Sequence, residues 1–68
     1  MSYYRVYLLS ADDHIVAWHP VIGNSDDAAV TAAARMVRDS AVEIWTGTRR
    51  VAGLTVEELE NCRTRAAW

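Results

Sequence analysis

Strand side chains alternate between the two faces of a sheet with a period of two. Two segments of this chain follow that period with different chemistry on each side. In Tyr3-Tyr4-Arg5-Val6-Tyr7-Leu8, one face takes Tyr4, Val6 and Leu8, and the other takes Tyr3, Arg5 and Tyr7. In Val42-Glu43-Ile44-Trp45, the aliphatic side takes Val42 and Ile44, and the opposite side takes Glu43 and Trp45. A chain with this pattern needs a helical layer over its aliphatic face. It leaves a second face carrying Tyr, Trp and Arg, and an exposed aromatic patch of that kind usually marks a contact surface.

The first strand covers residues 3–9, and Ser10-Ala11-Asp12-Asp13 reads as a turn, because Ser and Asp side chains bond their own backbone there. Residues 14–19 return as a second strand, which Pro20 should end because it cannot donate to a ladder. Gly23 and Asn24 break the chain before a helix over 26–38. Asn24 or Ser25 can cap that helix, and Asp26 and Asp27 suit its positive end. Its apolar stripe is Ala29, Ala33, Met36 and Val37, widened by Ala32. Asp27, Thr31 and Arg35 form its polar face, and Arg35 and Arg38 lie in the last turn.

Residues 41–46 form a third strand. Gly47-Thr48 suits a two-residue hairpin of type II′, with Gly at the first central position. That register sets Ile44 against Val51 and Trp45 against Arg50, close enough for a cation–π contact. Thr55-Val56-Glu57-Glu58 is a capping box opening a helix at about 56–65. Val56, Leu59, Cys62 and Ala66 share its stripe, Arg63 and Arg65 suit its C-terminal end, and Trp68 is a candidate apolar anchor.

The first hairpin admits two registers. A loop of two or four residues pairs Leu8 with Ile15 and Arg5 with Trp18, adding Trp18 to the aromatic face. A three-residue loop with Asp13 in the left-handed region pairs Leu9 with Ile15 and turns Trp18 toward the helix. A one-residue slip flips the whole strand.

The expected architecture is α+β and spans 1–68 as one small domain. Residues 1–54 form a ββαββ core with an antiparallel sheet in the order 2-1-3-4 and one helix on one face; residues 55–68 add a short C-terminal helix. That helix either completes the helical layer or docks on a partner.

These motifs resemble a group of very short alphaproteobacterial ββαββ proteins of unknown function. Members open Tyr-Arg-x-Tyr, turn at Asp-x-Asp-Gly-x-Ile, run an Asp-Asp-x-Ala helix and close with Glu-x-Trp-x-Gly-x-Arg-x-Val-Ala. The matching stretches here are Tyr4-Arg5-Val6-Tyr7, Ala11-Asp12-Asp13-His14-Ile15, Asp26-Asp27-Ala28-Ala29 and Glu43 through Ala52. The likeness covers roughly residues 3–54. Asp13 stands where the group has Gly. The resemblance implies the ββαββ fold and a bacterial cytoplasmic setting, and it brings no catalytic residue.

Composition narrows the function classes. A domain of 68 residues buries only about 60% of its unfolded surface. Small domains usually add disulfides, a metal or oligomerisation. Cys62 is the single cysteine, so an internal disulfide is excluded, and no Cys/His cluster suggests a structural metal. The net charge of −2 and a pI near 5.5 disfavour an electrostatic binder of nucleic acid. Met1-Ser2-Tyr3-Tyr4-Arg5 lacks a signal-peptide layout, and no apolar run has transmembrane length. The expectation is a cytoplasmic protein with no membrane partner.

Candidate chemical residues have local explanations. His14 lies at a turn and His19 precedes Pro20, and the two point to opposite faces of a strand, so they cannot share one ion. Asp12, Asp13, Asp26 and Asp27 serve turns and a helix start, and no EF-hand spacing is present. Cys62 falls on an apolar stripe, where a thiol is inert. The three glycines at 23, 47 and 53 form no phosphate-cradling loop. The expectation is a protein with no catalytic residue, no metal and no cofactor.

What remains is the face of Tyr3, Arg5, Tyr7, Trp18, Trp45 and Arg50. Tyr, Trp and Arg are enriched at interface hot spots, so the leading expectation is a non-enzymatic interaction module. It would form a homodimer through this face or the C-terminal helix, or take another protein as partner. A small regulatory binder of single-stranded RNA or DNA is the alternative use of the same face. An enzyme with a site shared across a dimer interface ranks third. A monomer whose polar-tipped aromatics simply cover an open sheet is the plainest reading.

Overall fold

The computed structural model describes residues 2–66. Its elements are β1 (Ser2–Leu9), β2 (Ile15–Gly23), α1 (Asp26–Met36), β3 (Ala41–Thr46), β4 (Arg49–Leu54) and α2 (Val56–Ala66). The four strands form one antiparallel sheet in the order β2-β1-β3-β4. The fold is α+β, with the expected strand order. Both helices pack on the same side of the sheet and against each other, so α2 completes the helical layer.

The core lies between that layer and the aliphatic face. Tyr4, Val6, Val42 and Ile44 supply it from the sheet, joined by Val21 from β2. Ala29, Ala33 and Ala34 supply it from α1, Val37 from just beyond that helix, and Leu59 from α2. Alanines on the buried side of α1 let its backbone approach the sheet closely. Met36, expected in the stripe, is 47% exposed, and Ala34 is buried instead. The cause is that α1 ends at Met36, two residues early. Val37 is already extended (φ −117°, ψ 124°) and turns its side chain into the core. Arg38 therefore lies past the helix end.

Local chemistry sets the helix ends. The Ser25 hydroxyl accepts from the Ala28 amide at 3.1 Å. At α2 the capping box closes both ways: the Glu58 amide donates to Thr55 Oγ1 at 3.1 Å, and the Thr55 amide donates to Glu58 Oε1 at 2.9 Å. Arg63 does something its position in α2 did not announce. Its Nη1 donates to the Ala34 carbonyl at 2.7 Å and the Val37 carbonyl at 3.1 Å. It thereby caps the C-terminal end of α1, where helix carbonyls lack internal partners. Leu59 is fully buried and Cys62 packs against the core, whereas Val56 is 41% exposed. The side chain of Ala66 and all of Trp68 lie outside the described residues.

A polar link ties three elements together beside the core. The buried Tyr4 on β1 donates its hydroxyl to Asp26 Oδ1 at 2.9 Å. Arg49 on β4 grips the same carboxylate with both ends of its fork, at 2.9 and 3.0 Å. The Arg49 bonds, then the Tyr4 bond, hold the Asp26 carboxyl below its ordinary range. Burial, with Asp26 alongside, raises the Tyr4 hydroxyl above its ordinary value.

Both hairpins depart from simple pairing by one residue. In the first, Asp13 takes a left-handed φ of 65° and Leu9 pairs with Ile15. The next pair is Leu8 with Ala17, which leaves Val16 as an extra residue. The turn is thus the three-residue alternative, and the bulge resets the strand so that Trp18 faces Tyr7 on the aromatic side. In the second, Gly47 has the positive φ of 59° that a type II′ turn requires at that place. Thr46 pairs with Arg49 and Trp45 with Arg50 as expected. A bulge at Val51 then sets Ile44 against Ala52 rather than Val51.

Pro20 does not end β2, which runs on to Gly23. The reason is position: β2 is an edge strand, where a residue without N–H can turn that side to solvent.

Candidate functional site: the open sheet face

The period of two, carried through all four strands, gathers the predicted residues on one surface. Across β2, β1 and β3 the pairs are Ile22–Tyr3, Trp18–Tyr7, Arg5–Trp45 and Tyr7–Glu43. Arg50 on β4 faces Trp45. Tyr3, Arg5, Tyr7, Trp18, Trp45 and Arg50 are therefore neighbours on the side without helices. Tyr3 is 50% exposed, Trp18 48% and Ile22 65%, whereas Tyr7 and Trp45 are half-buried.

The side chains on this face are arranged in two clusters. On the β2 side, the Arg5 guanidinium lies 5.2 Å from the centre of the Trp18 ring. This is the face's cation–π contact, in place of the Trp45–Arg50 contact that the hairpin register led us to expect. On the β4 side, Trp45 donates its indole N–H to Glu43 Oε1 at 2.7 Å. Arg50 turns away from the indole toward the same carboxylate, Nε to Oε1 at 4.0 Å. Gly53, paired with Glu43, makes room for it: a Cβ at position 53 would sit 2.1 Å from Arg50 Nη2.

Glu43, expected on this side with Trp45, is there, and Ile22, Pro20 and Gly53, which the sequence pattern does not single out, also belong to this face. The alternation Trp18-Pro20-Ile22 carries the signal, but Pro20 masks it by reading as a strand end. Glu43 was visible beside Trp45, but its hydrogen bond to the indole depends on side-chain packing.

The other candidate residues lie apart. His14 and His19 are exposed, and His14 Nδ1 sits 3.2 Å from Asp12 in the first turn. Asp12 also accepts from the Ser10 hydroxyl, and Ser10 Oγ accepts from the His14 amide at 3.2 Å. Cys62 is half-buried against the core. Among the described residues, no three His, Cys, Asp or Glu side chains are grouped to hold a metal, and no helix is long and apolar enough to cross a membrane.

No family model matches this chain, and neither a curated protein nor a solved structure is significantly similar to it.

Proposed function

We propose that this protein is a non-enzymatic interaction module that pairs with a second copy of itself through the open sheet face. One observation carries the reading: the sheet's helix-free side holds Tyr3, Trp18 and Ile22 about half exposed or more. Aromatic side chains of this size bury about 150–250 Å² each on association. The dimensions suffice for a like partner. Extents of 31 × 30 × 15 Å give broad faces on the order of the ~800 Å² per partner that a standard interface buries.

The edges favour stacking over strand addition. β2 carries a bulge at Val16 and a proline at 20, and β4 carries a bulge at Val51. Bulges and edge prolines are the devices that discourage edge-to-edge pairing. Single-stranded nucleic acid is a weaker occupant. Arg5 is already stacked on Trp18 and Arg50 lies beside Glu43, and the chain carries a net charge of −2.

Sedimentation equilibrium over a concentration series tests this. The expected result is a reversible dimer whose dissociation constant rises at least about tenfold in Trp18→Glu and in Tyr7→Glu, a loss of about 1.4 kcal/mol or more. A monomer at every concentration, or dimers unchanged in both variants, overturns it. Salt-dependent binding of an oligonucleotide by the monomer would hand the face to the nucleic-acid reading.

A further inference from the structure

Beside the Glu43–Arg50 cluster the surface sinks into a depression. It lies where β1 and the first turn meet the start of β3 and the end of β4. Its volume is about 360 Å³, within the range of ~300–1,000 Å³ typical of small-molecule sites. Leu9, Ala41 and Leu54 supply apolar lining, and Asp13, Glu43 and Arg50 supply charge of both signs.

The charged groups face solvent, the Arg50 and Glu43 side chains keeping 53% and 32% of their surface exposed. Arg50 lies across Gly53, where a Cβ would sit 2.1 Å from Nη2 and 3.2 Å from Cζ and would push the guanidinium aside. Among the described residues its one ionic neighbour is Glu43, through Nε. Among the described residues neither Nη1 nor Nη2 of Arg50 has a hydrogen-bond partner, so the fork is unoccupied. Glu43 is fixed by the Trp45 indole on Oε1, and Oε2 has no hydrogen-bond partner among the described residues. Asp13 keeps a left-handed φ of 65°, a conformation that costs a non-glycine residue free energy.

We propose that this depression binds a free α-amino acid. The ligand carboxylate takes the two Nη groups of Arg50 in the bidentate geometry that guanidinium favours. Its ammonium sits toward Glu43 and Asp13, and an aliphatic side chain lies against Leu9, Ala41 and Leu54. The balance of charge selects this class. Two carboxylates repel a simple anion, and the guanidinium repels a simple cation. A molecule whose ammonium and carboxylate share one carbon meets neighbouring sites of opposite sign, as Glu43 and Arg50 are.

The test is an amide-resolved NMR titration of the intact chain with L-leucine, with N-acetyl-leucine and isoamylamine as single-charge controls. The expected result is saturable shifts in residues 41–43 and 50–54 with leucine, and binding at least about tenfold weaker for each control, as loss of one charged partner implies. Arg50→Gln and Gly53→Ala should weaken leucine binding by a similar factor, whereas His19→Ala, exposed on β2 and paired with Val6 on the other face of the sheet, should leave it unchanged. No saturable shift up to about 20 mM leucine, where even a millimolar site would fill, overturns the proposal. So does equal binding of either control, a comparison that needs no variant. The depression shares Glu43 and Arg50 with the face proposed for self-association, so the titration is repeated on the Trp18→Glu monomer, where leucine binding stands or falls independently of the dimer.

Discussion

The two faces of this sheet are cut from the same strands, often from adjacent residues. On the helix side Val6, Val42 and Ile44 are at most 1% exposed, while on the other side Tyr3 and Trp18 keep about half their surface in water. The covered face is packed chiefly by shape, with aliphatic side chains against an alanine-lined helix and a Tyr4–Asp26 hydrogen bond at its margin. The open face is organised by polar contacts instead, through Arg5 on Trp18 and the indole of Trp45 on Glu43. Close packing gives stability, and oriented polar groups on aromatic rings give recognition. The contrast separates what keeps the chain folded from the face proposed for a partner.

Substitutions should break that contrast unequally. The largest effect belongs to Ile44→Ala, which empties a fully buried site at the centre of the sheet. A loss of about 2–5 kcal/mol is expected, enough to unfold much of a small domain. Urea melts read it directly, and a loss under about 1 kcal/mol would mean that the core collapses around the gap.

Arg63→Ala comes next. It strips two carbonyls at the end of α1 of a charged donor, for about 1.5–3 kcal/mol. Hydrogen exchange should show the last turn of α1 opening first, and uniform loss across the chain would contradict a capping role.

Acid should act through Asp26. Its carboxyl is held below the ordinary value by Arg49 and then Tyr4. The stability this contributes is present above the unfolded value of about 3.8 and is lost as pH falls through the lower, folded value. Asp26→Asn should therefore melt below wild type at pH 7, with the gap closing at pH well under 4. A gap independent of pH would sink this account.

Trp18→Ala should be the mildest for the fold. In a dilute monomer it should cost about 1 kcal/mol or less, the scale of an exposed cation–π contact, while weakening the proposed self-association. A larger loss in melting would make Trp18 part of the core rather than of the contact face.

Much of this was legible from residue order. The Thr55–Glu58 box, the Ser25 cap and the Gly47 turn each depend on groups within four residues of one another. The assignment of Tyr3, Arg5 and Tyr7 to one face needs only the period of two. The rest depends on partners far along the chain. Neither register offered for the first hairpin was complete, because Asp13 sets the turn while the bulge at Val16 decides the face. Pro20 reads as a stop unless β2 is known to be an edge. Arg63 carries no mark that its acceptors are Ala34 and Val37, because those carbonyls become orphans only when α1 ends at Met36.

By itself, then, the order of residues determined the alternation, the caps and turns, and hence the α+β class and its aromatic face, because these follow from backbone geometry and near neighbours. The tertiary structure alone decided the two bulges and the Arg5–Trp18 stack. It also decided the Arg63 cap, the Tyr4–Asp26–Arg49 link and the place of Arg50 over Gly53. Each is a choice among side-chain partners or pairings of similar local free energy. Only the packing of the whole sheet against its helices separates them.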